Sequence, residues 1–208
     1  YHHLSIVKQH KKVRVRACVK ALYTRIAHSN TNGGIMPKTS IAIEHTKFLI
    51  NDQLTYSAIA GSNQDAHGLL MNARFIQGIF DDKTDPERFA IFGYGTWDPE
   101  ANTDRLIAAL PQWYEHGLRA FTVGLQGGGP VLTLDDWSTI DNNPFGADGR
   151  SFDPAYAGRL DRLIKAADDI GMVVIVSFLY ASQAPRLQDG RAVRNAVIGA
   201  SRFLKGGG

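Results

Sequence analysis

Apolar and polar positions after residue 36 follow two alternating periods. Ser40-Ile41-Ala42-Ile43-Glu44 and Lys47-Phe48-Leu49-Ile50 are short runs separated by His45-Thr46, and Asn51-Asp52 leads on to Leu54-Thr55-Tyr56. Runs this short between turn residues predict a β-hairpin or a three-stranded cap. A first parallel strand is expected within residues 69–80. Asp98-Pro99-Glu100 then offers an N-cap with proline at the first helical position. Leu106, Ile107, Leu110, Trp113 and Tyr114 recur at helical spacing up to Gly117, and Pro111 among them predicts a kink. Ala120-Phe121-Thr122-Val123-Gly124-Leu125-Gln126 reads as a second strand.

The signature repeats. Asp153-Pro154 caps a helix with Tyr156, Leu160, Leu163, Ile164 and Ala167 as its apolar stripe, and Gly171 occupies the expected left-handed C-terminal position. Residues 172–180 form a continuous apolar run, as in a strand covered on both faces. Asp189 caps a last helix bearing Val193, Val197, Ala200 and Leu204. Strand alternating with helix gives an α/β class with parallel crossovers. Either an open doubly wound sheet or part of a (β/α)8 barrel satisfies the pattern. In both, chemistry gathers at the carboxyl ends of the strands: Phe80-Asp81-Asp82, Gln126-Gly127-Gly128 and Tyr180-Ala181-Ser182-Gln183.

Charge divides the chain. Residues 1–35 hold seven Lys/Arg and no acid, so residues 36–208 carry the other 16 basic side chains and all 20 acids, a net of −4. The overall +3 therefore belongs to a basic N-terminal extension, expected to lie outside the fold, and a nucleic-acid groove on the body is not supported. That extension lacks the roughly 7–15-residue apolar core of a secretory leader; a start at Met36 implies a cytoplasmic protein. No apolar run reaches the roughly 18–20 residues of a membrane span. The single cysteine, Cys18, excludes an internal disulfide framework. Residues 36–60 are expected to form the hairpin or cap, and residues 61–208 the strand–helix units.

Several motifs are excluded. Gly127-Gly128-Gly129 lacks the Gly-Lys-Ser/Thr of a phosphate loop, and no Gly-x-Ser-x-Gly elbow occurs. His67 and His116 stand alone, so neither a metal nor a cofactor is expected. Among the acid pairs, Asp168-Asp169 reads as a solvated helix end, whereas Asp81-Asp82 follows the first strand at the functional rim. Adjacent side chains on an extended segment diverge, so at most one of these two faces a pocket. Trp97, Gln126, Trp137, Tyr180 and Gln183 fit a carbohydrate site, where rings stack on sugars and amides bond hydroxyls; loop packing is the competing explanation.

Phe48-Leu49-Ile50-Asn51, the stretch from Gly68 to Arg74, Phe80-Asp81-Asp82, the stretch from Trp97 to Thr103, Ala120-Phe121-Thr122-Val123, Leu125-Gln126-Gly127-Gly128, Asn143-Pro144-Phe145, Asp153-Pro154-Ala155-Tyr156 and Gly171-Met172-Val173-Val174-Ile175 together resemble bacterial cellulase-like glycoside hydrolases of the (β/α)8-barrel superfamily. The resemblance covers about residues 40–205. It implies a partial barrel of about three βα units preceded by a small hairpin, and a cleft for an oligosaccharide or polysaccharide. It also implies a pair of glutamates about 5–5.5 Å apart at the ends of the fourth and seventh strands, for which three units offer no position; the catalytic residues stay unassigned. Asn72, Arg74, Asp81, Asp82, Gln126, Tyr180 and Gln183 match the family pattern near the cleft, and Trp137 joins them as a stacking candidate. For the arginine and the acids, a buried Arg–carboxylate brace is the alternative. Two other functions stay open: a non-catalytic α/β module that self-associates through an exposed sheet edge, and a flavodoxin-like domain binding flavin.

Overall fold

The computed structural model describes residues 37–93, 95–127 and 139–206. Expectations concerning residues 1–35, Gly128, Gly129 and Trp137 lie outside them.

The chain folds as a mixed α/β structure with two small sheets. In the first, β1 (Ile41–Glu44), β2 (Lys47–Ile50) and β3 (Gln53–Leu54) pair antiparallel in that order. Asn51 and Asp52, both at positive φ (51° and 62°), make the tight β2–β3 turn; short polar side chains tolerate this conformation and match the strand twist. The sequence-predicted cap is therefore three-stranded.

The second sheet is parallel, with β4 (Asn72–Arg74), β5 (Ala120–Gly124) and β6 (Val173–Ser177) in sequential order. α1 (Pro99–Glu115) links β4 to β5, α2 (Pro154–Asp169) links β5 to β6, and α3 (Gly190–Leu204) follows β6. Each helix starts where the sequence places its cap. Asp98, Asp153 and Asp189 accept backbone N–H groups of the first turn, and Pro99 and Pro154 occupy positions whose N–H has no helical partner. α1 runs through Pro111 to Glu115, ending before Gly117 as its apolar spacing predicts.

β4 is much shorter than residues 69–80 suggest. The chain turns immediately after it, with Gly78 N–H donating to the Phe75 carbonyl, and the Ile76 carbonyl is taken by Gly124 N–H. Apolar residues 75–80 thus serve packing and turn formation, a choice that periodicity alone does not reveal.

The core lies between the parallel sheet and the three helices. Phe121, Val123 and Leu125 pack with Leu110 of α1, with Tyr156, Leu160, Leu163 and Ala167 of α2, and with Ala192, Ala196 and Ala200 of α3. Burying each large apolar side chain contributes about 1.5–3 kcal/mol. Ala73, Val174 and Val176 pack on the same cluster. The opposite sheet face carries Asn72, Arg74, Thr122, Ile175 and Ser177, exposed except for the half-buried Thr122, and, at its amino end, the buried Ala120 and half-buried Val173. The expected two-sided cover of the 172–180 run is absent there: Ile175 is 37% exposed.

The antiparallel sheet caps the amino ends of the parallel strands. Phe48 N–H donates to the Gly68 carbonyl, the Thr55 hydroxyl donates to the Leu69 carbonyl, and Met71 N–H donates to the Tyr56 hydroxyl at 3.1 Å. Asp168 and Asp169, read from sequence as a solvated helix end, instead anchor the start of the cap. Asp168 accepts the N–H groups of Lys38 and Thr39 at 2.9 and 2.7 Å, and Asp169 pairs with the Lys38 ammonium at 2.6 Å. Among the described residues no helix is long and apolar enough to cross a membrane.

Candidate functional site

Loops leaving β4, β5 and β6 meet at the carboxyl ends of the strands, where four amide side chains form a buried network. Asn142 sits at its centre. Its N–H donates to Gln183 Oε1 at 3.0 Å, its Nδ2 donates to the Gln126 carbonyl, and its Oδ1 accepts from Asp81 N–H at 3.0 Å and the Tyr156 hydroxyl at 2.7 Å. Gln126 Nε2 donates to Asn143 Oδ1 at 3.1 Å, and its Oε1 accepts from Tyr180 N–H at 2.8 Å. Gln183 Nε2 donates to the Ile140 carbonyl at 2.9 Å. Asn142, Gln126 and Gln183 are almost wholly buried, so each hydrogen bond replaces one otherwise lost with water. One residue, through its side chain and its backbone N–H, thus ties three strand ends to the N-terminal turn of α2.

The two aspartates after β4 separate as adjacent side chains should. Asp82 is buried, with Arg88 Nε 3.0 Å from its Oδ2; its Oδ1 accepts from Thr84 N–H and hydroxyl at 3.0 and 2.6 Å. It is a brace that holds the loop. Asp81 is half-buried, and burial pushes its carboxyl above the usual range. The positive charges of Arg159 and Lys83 oppose that shift, while Asp153 adds to it. Tyr156, at 0% exposure, has its phenol pushed well up by burial. Burial also acts to raise the Asp153 carboxyl, but the Lys83 ammonium 2.9 Å away and the backbone N–H groups of Ala155 and Tyr156 together hold it below the usual range.

The remaining candidates take three positions. Asn72 and Arg74 stand on the open sheet face, where Thr122 donates to Asn72 Oδ1 at 3.0 Å. Tyr180 is half-buried at the β6 end, and its backbone N–H joins the network. Gln126 and Gln183 lie inside the network, with their amides engaged by protein. Trp97, read as a rim aromatic, packs instead on Phe80 and Phe89, with ring centroids 5.5 and 5.1 Å away. Sequence reasoning named Tyr156 only as part of an apolar stripe and missed Asn142, Arg88 and Arg159, whose roles rest on partners far away in the chain.

The glutamates are placed elsewhere. Glu100, at the start of α1, holds Arg159 and Arg162 at 2.8 Å each. Burial raises its carboxyl, and the two guanidinium bonds together more than reverse the shift. Glu44 and Glu115 are exposed, and Glu87 accepts the Thr96 hydroxyl at 2.7 Å. No group of three or more His, Cys, Asp or Glu among the described residues could hold a metal ion. The rim offers hydrogen-bonding groups and one carboxyl that keeps its proton to a higher pH than a free aspartate. Comparison with protein-family models, curated proteins and solved structures found no match to the chain.

Proposed function

We propose that the parallel sheet is the opening arc of a (β/α)8 barrel of the glycoside hydrolase kind, and that its carboxyl rim binds an oligosaccharide. The observation that carries this reading is the one-sided packing of the sheet. A doubly wound sheet takes helices on both faces, whereas here the helix-packed residues (Ala73, Phe121, Val123, Val174 and Val176) all belong to one face. Arg74, Thr122 and Ile175, in register across the other, would face a barrel's interior. The cap at the amino ends and the braced loops at the carboxyl ends fit the same plan.

Hydrolysis by such a barrel uses two carboxyl groups flanking the scissile bond. Among the described residues no glutamate stands at the carboxyl end of β4, β5 or β6, and Glu100 is held as an anion by two arginines. The chain is therefore expected to bind sugar without rapid turnover. Titration of the 15N-labelled protein with cello-oligosaccharides tests this. Saturable shifts of the Arg74, Gln77 and Tyr180 amides are expected, with no release of nitrophenol from aryl glycosides. Enzyme-like turnover abolished by Glu44→Gln, Glu100→Gln or Glu115→Gln would refute the assignment, as would the absence of any saturable shift.

The sheet borders favour a second reading, a self-associating module. Among the described residues β4 and β6 each pair only with β5, and Ile175 is exposed beside the β6 border. Light scattering at micromolar concentration separates the readings: a stable dimer favours the module, and a monomer removes it.

A further inference from the structure

A cavity of about 150 Å³ lies at the amino ends of the parallel strands, between the antiparallel cap and the body. Ile50, Leu54 and Ile59 supply apolar wall, and Tyr114 and Arg119 enter from the body. None of its lining residues is an acid. Arg119 is half-buried, its guanidinium carbon 3.9 Å from the centroid of the Tyr114 ring. Its Nη1 donates to the carbonyls of Tyr114 and Leu118 at 2.7 and 3.1 Å, which fixes the fork in place. Nε and Nη2 make no hydrogen bond among the described residues, nor does the Tyr114 hydroxyl, and no carboxylate lies within 4.0 Å of the guanidinium. Both nitrogens stay within reach of water, which an anionic ligand would displace. A second irregularity borders the same space. Tyr56 lines the cavity, is 6% exposed and adopts φ 66°, a left-handed conformation that is costly for a bulky side chain.

We infer that this cavity is a binding site for a small organic carboxylate. The planar, fixed guanidinium offers two donors in the geometry that a carboxylate accepts. The Tyr114 hydroxyl supplies a further donor, and the aliphatic wall takes the ligand's apolar body. Because the cap provides one wall and the body the other, through Tyr114, Arg119 and Gly171, the occupant fastens the cap onto the amino ends of β5 and β6. The site is independent of the proposed sugar cleft, which lies at the opposite ends of the same strands.

Calorimetric titration of the full chain with benzoate, and with uncharged benzamide as the control, tests the inference. Saturable one-to-one binding of benzoate is expected, with benzamide at least about tenfold weaker, the loss of roughly one charge-assisted contact. R119M should abolish binding, and R119K should retain part of it, since a point charge replaces the fork. Y114F removes a hydroxyl that makes no hydrogen bond among the described residues, so it stays folded and should weaken binding severalfold. Thermal shifts of the wild type and Y114F give the second readout: benzoate should raise Tm less in Y114F. Equal affinity for benzoate and benzamide, unchanged binding in R119M, or no binding of benzoate at millimolar concentration would each overturn the assignment.

Discussion

Asp81 and Asp82 show how far neighbouring side chains of one type diverge. Asp82 and Arg88 have side-chain exposures of 0% and 6%, so Asp82→Asn removes a carboxylate that faces a buried guanidinium. Breaking such a pair typically costs about 3–5 kcal/mol, and urea denaturation should show a loss of that size; a loss below about 1 kcal/mol, the value of a surface pair, would contradict the burial. Asp81 behaves differently. Its carboxyl is raised in the folded state above the usual 3.8, so the folded protein binds the extra proton. Stability from this group is present at acid pH and is lost as pH rises through the raised value. Asp81→Asn should therefore gain Tm over the wild type near neutral pH, with the difference shrinking at pH below 3.8. A difference independent of pH would exclude burial of this carboxyl. The sequence announced the divergence through the alternation of adjacent side chains, but it could not say which aspartate turns inward, because Arg88 and Thr84 become partners only once the loop closes.

Elements were most legible where their signals are local. Asp98-Pro99, Asp153-Pro154 and Asp189 placed three helix starts because capping involves residues two or three apart. Asp189 accepts the N–H groups of Arg191 and Ala192 at 2.8 Å each, and Asp189→Ala should cost about 1 kcal/mol in denaturant midpoint analysis. The short β4 and the amide network were not legible, since both depend on contacts far apart in sequence: Asn142 meets Asp81, Gln126 and Gln183 only in the assembled rim. Gly149 is another such case. Its φ of +70°, and a Cβ that would fall 1.9 Å from the Ala192 carbonyl oxygen, mean that α3 packs directly on the 146–149 turn. Gly149→Ala should destabilise the protein by several times the ordinary surface effect of about 0.5 kcal/mol, and a neutral result in thermal melts would mean that this approach is looser. Nothing short-range in the sequence distinguishes Gly149 from the unconstrained Gly158.

At the scale of the whole molecule, the strand–helix alternation made the α/β class readable, but not which face of the sheet the helices cover. Leu160, Leu163 and Ala167 repeat at helical spacing in any α/β architecture; the apolar run through β6 hid the fact that Val174 and Val176 enter the core while Ile175 does not. That asymmetry underlies the barrel-arc reading, and thiol labelling measures it directly. In a chain with Cys18 replaced by serine, cysteines placed singly at Ile175 and Val176 report the two faces of one strand. The account expects the thiol at 175 to react within about tenfold of free cysteine and the thiol at 176 to be protected by about a hundredfold or more. Equal protection at both positions, unchanged on dilution, would mean that the sheet is covered on both sides and would contradict the arc.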